Sequence, residues 1–86
     1  MKKKAAALRY EKGYIAPKVT AIGFGHIAEK IIEEANRNNV PVISNEKLAE
    51  SLSSLTIDQE IPSELYEAVA AVIAYIYSVN DKAKTI

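Results

Sequence analysis

Between Val19 and Ser44 the hydrophobic pattern changes period twice. Val19-Thr20-Ala21-Ile22-Gly23-Phe24 is a short run rich in β-forming residues. Ile27, Ala28, Ile31, Ile32 and Ala35 then recur at helical spacing, with Glu29, Lys30, Glu33, Glu34 and Arg37 between them. Val40-Pro41-Val42-Ile43-Ser44 returns to strand character. A helix joining two short apolar strands predicts a βαβ unit, with parallel strands and a right-handed crossover.

The flanking segments extend this unit. Ala5 to Tyr10 is alanine-rich, but its shortness and the Glu11-Lys12-Gly13 turn that follows favour a strand over a helix. Pro17 holds Ala16 extended and offers no backbone donor. Asn45 predicts an N-cap for a second helix, whose apolar stripe is Leu48, Ala49, Leu52 and Leu55. Thr56 to Ile61 reads as a polar connection. Pro62 sits at a first-turn position, and Glu64 and Glu67 favour the positive end of the helix dipole, so a third helix is predicted over 62–79. That helix carries two apolar stripes, Leu65, Val69, Val72, Ile76 and Tyr66, Ala70, Ile73, Tyr77, where a surface helix needs one. It is therefore sandwiched between elements or offers a face to a partner. The tail from Asp81 to Ile86 is polar and is expected to fray. The predicted class is α/β: a small mixed sheet of about three strands with a βαβ unit, covered by three helices. It forms one domain over residues 1–86, ordered over about 5–80.

Composition narrows the chemistry. A chain of 86 residues makes a single core and buries only ~60% of its unfolded surface. With no cysteine and one histidine it has no disulfide framework and no ordinary zinc constellation, so neither metal nor cofactor is expected. Eleven basic residues balance eleven acidic ones, which argues against a nucleic-acid partner. Lys2-Lys3-Lys4 is the only basic run and reads as a solvated terminus. The longest uncharged stretch, Ala68 to Asn80, is too short to span a bilayer, which needs ~20 apolar residues.

Two features resemble sites. Gly23-Phe24-Gly25-His26-Ile27-Ala28 fits G-x-G-x-x-A between a strand and a helix, with Glu46 further on, so a small nucleotide-binding βαβ protein using the Gly23-x-Gly25 turn is the alternative functional reading. Against it stand the chain's length and a steric explanation for a glycine turn. His26 has no nucleophile, base or second histidine to work with. Glu29, Glu33 and Glu34 interleave with Lys30 and Arg37 as on a solvated face. No catalytic residues are assigned, and the chain is expected not to be an enzyme.

The order of motifs carries more. Ala6-Ala7-Leu8-Arg9-Tyr10, Ala16-Pro17-Lys18-Val19, Gly23, Val40-Pro41-Val42-Ile43 with Asn45 and Leu48-Ala49, then Gln59-Glu60-Ile61-Pro62 with Glu64-Leu65-Tyr66 and Ala68-Val69-Ala70, together resemble the C-terminal cytoplasmic domain of the FlhB family. These are export-gate switch proteins of flagellar and injectisome type III secretion. The likeness runs from about Ala5 to Tyr77, and I-P-x-E-L-Y-x-A-V-A is its most specific part. Family members carry an N-P-T-H loop at which the chain cleaves itself; here there is no Asn-Pro pair, so no such cleavage is expected. The family's A-K-G is Ala21-Ile22-Gly23 here, one lysine fewer. The chain looks like a free-standing copy of the cleaved fragment, without the membrane domain that normally precedes it.

The resemblance implies a non-enzymatic export component, cytoplasmic and peripheral at the inner membrane through the apparatus. It would be monomeric, with export-gate membrane proteins and export substrates as partners, and would take the place of the cleaved C-terminal fragment. It also implies a substrate-binding apolar patch between the Ala-Pro loop and the last helix, where the matching residues are Ala16, Pro17, Ala70 and Ile73. Composition alone would assign those four to the core; the second stripe of the last helix favours exposure.

Overall fold

The computed structural model of the chain describes residues 3–84. In order come strand β1 (Lys4–Arg9), strand β2 (Lys18–Phe24), helix α1 (His26–Arg37), helix α2 (Glu46–Ser53), a 3-10 turn over Ser63–Leu65, and helix α3 (Tyr66–Lys84). The α/β class and the three helices are as the pattern predicts. Met1, Lys2, Thr85 and Ile86 lie outside the described residues, and with them part of the basic run and the end of the polar tail.

β1 and β2 pair antiparallel, with Ala5 opposite Gly23, Ala6 opposite Ile22 and Ala7 opposite Ala21. The register then slips by one, so that Leu8 faces Val19 and Thr20 is the extra residue of a β-bulge. The bulge answers a conflict in the sequence. Val19 and Ile22 are three apart, and strict alternation would send them to opposite faces. With Thr20 inserted, both join the same core: Val19 is fully buried, and Ile22 packs against the cluster of Ala16, Val19, Leu48, Leu52, Ile61 and Val69. Thr20 Oγ1 donates to the Ala7 carbonyl at 3.3 Å across the irregularity.

α1 lies on the opposite face. A Cβ on Gly23 would sit 2.6 Å from Ile27 Cγ2 and 2.8 Å from Ile31 Cδ1, so the strand meets the helix at contact distance because this position has no side chain. Gly25, with φ 59°, makes the turn into α1 in a conformation that disfavours side chains. Both glycines of the G-x-G turn thus have steric explanations. α1 ends in a Schellman motif: Asn39 is left-handed at φ 60°, its N–H donates to the Asn36 carbonyl at 3.3 Å, and the Val40 N–H donates to the Ala35 carbonyl at 2.8 Å.

The third strand does not form. The described sheet has two strands, and residues 40–44 have no regular structure. The parallel βαβ unit that a dinucleotide fingerprint needs is therefore absent from the described residues. Pro41 supplies no donor in a five-residue run, and Val40 spends its N–H on the end of α1, so the segment keeps little with which to build a ladder. The opposite outcome holds for the polar connection before Pro62. The Val19 N–H donates to the Gln59 carbonyl at 2.9 Å, the Asp58 N–H to the Val19 carbonyl at 2.7 Å, and the Ile61 N–H to the Pro17 carbonyl at 2.9 Å. A stretch that reads as linker therefore caps the outer edge of β2.

Candidate functional site

Asn45 caps α2 as predicted, accepting from the Leu48 N–H at 3.1 Å, and directs Leu48 and Leu52 into the core. On this base rests the start of α3. Pro62 lies outside the helix, with extended backbone (φ −72°, ψ 159°); the 3-10 turn follows, and α3 begins at Tyr66. The helix then continues to Lys84, past the point at which the polar tail is expected to fray.

The two stripes of α3 separate cleanly. Leu65, Val69 and Val72 face the core, and Val69 is only 1% exposed. Of the second stripe, Tyr66, Ala70 and Tyr77 are exposed and Ile73 is half-buried. Facing this stripe is the loop between β1 and β2. It is folded on itself by the Tyr14 N–H donating to the Glu11 carbonyl at 3.0 Å, and by Lys18 Nζ lying 4.7 Å from the centre of the Tyr14 ring. The Ile61 N–H bond to the Pro17 carbonyl ties it to the approach to α3.

Between loop and helix runs a groove of about 430 Å³. Ala16, Pro17, Ala70 and Ile73 all line it, so the structure brings together the four residues singled out from the sequence. Their roles differ. Ala16 is 3% exposed and belongs to the core cluster beneath the floor, Ile73 is shared between that core and the groove, and Pro17 and Ala70 present open walls. Tyr10 and Ile15 complete the loop side and Tyr66 and Tyr77 the helix side. The sequence reading assigned Tyr10 and Ile15 no part in the site. The available signal was an isoleucine in a loop next to Ala-Pro, and Ile15 is 86% exposed. Among the described residues no charged side chain lines the groove, whose walls are apolar side chains and tyrosines, an arrangement suited to holding an apolar segment.

Elsewhere the ionisable groups sit on solvated faces. His26 is exposed, with Nδ1 3.7 Å from Glu29 Oε2, and Arg37 Nη1 bonds Glu34 Oε2 at 3.0 Å. Among the described residues no helix is long and apolar enough to cross a membrane.

A two-stranded sheet packed with helices, with an apolar groove at its loop end, defines a small α/β domain. The family model described as FlhB HrpN YscU SpaS matches residues 2–76, and the chain belongs to that family. It is 42% identical over 83 residues to the uncharacterized protein YlqH of Bacillus subtilis, a match spanning 95% of this chain and 89% of that protein. With the flagellar biosynthetic protein FlhB of the same organism it shares 35% identity over 80 residues, 91% of this chain but 22% of the relative. The chain thus spans most of the first relative and about a fifth of the FlhB proteins it matches. Among solved structures, the cytoplasmic domain of FlhB from Shewanella putrefaciens superposes with a TM-score of 0.90 at 35% identity, over 95% of this chain and 69% of that one. The PscU C-terminal domain superposes with a TM-score of 0.80 at 29% identity, over 85% and 95% respectively.

Proposed function

We propose that this chain is a non-enzymatic component of a flagellar or related type III export apparatus, and that its groove receives short apolar segments of export substrates. It docks on the export gate at the inner membrane and stands in for the matching C-terminal domain of a longer relative. The observation that carries this reading is the convergence of Pro17, Ala70 and Ile73 on one uncharged groove in a member of the FlhB family. Pro17 gives a rigid wall, Ala70 leaves room, and Ile73 supplies apolar surface backed by the core. An anchor of valine or leucine size gains ~1.5–3 kcal/mol on burial, less ordering costs, which gives the weak and exchangeable binding a passing substrate needs.

The test is Ala70→Glu, titrated calorimetrically beside the wild type with peptides tiled across an early flagellar export substrate. Wild type should bind one apolar window, and the variant should lose it while keeping its circular dichroism spectrum, because Ala70 is exposed. Equal binding by both proteins would remove the groove from substrate recognition.

A further inference from the structure

We propose that the outward face of α3 pairs antiparallel with the same face of a second copy of this chain, giving a weak two-fold dimer whose grooves lie away from the interface. Tyr75 and Val79 belong to neither stripe of the helix, yet they are 60% and 47% exposed. At about 100° per residue, Ala68, Tyr75 and Val79 fall on one line along α3, with Ala71 and Val72 on its shoulders. That line runs on the side of the helix away from the groove stripe of Tyr66, Ala70, Ile73 and Tyr77. Ala68 and Ala71 are exposed and Val72 is half-buried. No charged residue stands anywhere between Ala68 and Val79. Nor does the core cover this face: among the described residues of α3, none beyond Ile73 packs against the core cluster, although the helix runs on to Lys84.

The face complements itself when turned end for end. A two-fold axis passing between Ile73 and Ala74 sets Ala68 of one copy against Val79 of the other, and Val72 against Tyr75, so that small positions receive large ones. In a parallel pair the same residues would meet their own kind, with Tyr75 on Tyr75 and the alanines facing each other across a gap. The ends match as well. Antiparallel pairing brings Glu64 and Glu67, at the start of one helix, to the end of the other, where the sequence carries Lys82 and Lys84 against a single acid, Asp81. This match between the two ends of one helix is what commits the face to a second copy, because an unrelated partner would not require it.

The contact is small. The helix from Ala68 to Val79 is about 16 Å long, and a few apolar side chains from each copy keep the interface below about 1,200 Å², in the range of transient contacts. Association is therefore reversible and belongs to the micromolar range. Because Ala70 and Tyr77 lie on the other side of the helix, the dimer keeps both grooves open. A substrate with two apolar segments would then be held at two points, each raising the effective concentration of the other. That consequence rests on the substrate-groove reading, whereas the dimer itself does not.

The experiment is sedimentation equilibrium of the full chain over concentrations from about 5 to about 500 µM. The mean mass should climb from 9.4 kDa toward twice that value. Tyr75→Glu and Val79→Glu, both at exposed positions, should keep the circular dichroism of the wild type and each raise the dissociation constant at least about ten-fold, because the pair would bury an unpartnered carboxylate. Ala70→Glu should associate as the wild type does, which separates this face from the substrate groove. Orientation is read by disulfide formation, for which the chain has no competing cysteine. Ala68→Cys and Val79→Cys, mixed in equal amounts under a mild oxidant, should form chiefly the mixed disulfide. A mass that stays at 9.4 kDa, association unchanged by both glutamate substitutions, unfolding of both, loss of association in Ala70→Glu, or disulfides chiefly between like chains would each overturn the proposal.

Discussion

The two stripes of α3 are close in apolar content and share one helix, yet Val69 is sealed in the core while Tyr77, on the other stripe, is 62% exposed. What separates them is supply. Val19, Leu48, Leu52 and Ile61 provide one packing face, and the inner stripe takes most of it, with Ile73 of the outer stripe reaching its margin. Tyr66, Ala70 and Tyr77 of the outer stripe face the loop between β1 and β2, and the space left between is the groove. Apolar periodicity therefore marks a surface that gains by burial, but it does not say whether this chain or another molecule does the burying.

Three substitutions sharpen that contrast. Val69→Asp should have the largest effect, because a carboxylate beside Val19 and Ile61 has no partner. A loss on the order of 4 kcal/mol is comparable with the whole stability of a small domain, so the variant should be unfolded at 25 °C by circular dichroism. Ile73→Ala, at the shared position, should lower the urea-unfolding free energy by about 1–2 kcal/mol and also weaken substrate-peptide binding. Tyr77→Ser should leave stability within about 0.5 kcal/mol and act on binding alone. A Tyr77→Ser variant as unstable as Ile73→Ala would break the comparison, because it would show the outer stripe packing against something within the chain.

Features decided locally were legible from the sequence. Asn45 announces its own helix because a cap involves residues three apart, and the boundaries of β1, β2 and α1 follow from period and turn residues. The groove residues became legible through the motifs that resemble the family, since nothing in the composition of Ala16, Pro17, Ala70 or Ile73 separates a site from a core. Two misreadings share a physical cause. Segment 40–44 has β propensity and the approach to Pro62 has a linker's polarity, but strand formation depends on a partner remote in sequence. Gln59 and Ile61 find β2, and Val42 and Ile43 find none. The bulge at Thr20 could have been inferred from the odd spacing of Val19 and Ile22.

The bond from the Ile61 N–H to the Pro17 carbonyl has a kinetic consequence. It joins the two walls of the groove across a long loop, and contacts of that kind form late because the closure entropy must be overcome before they stabilise anything. Partial structures built from β1, β2 and α1 would hold Pro17 but no opposing helix. The capacity to grip a partner should then arise in one step with the final closure of the domain, and a chain still emerging from the ribosome would offer no half-formed site to the wrong ligand.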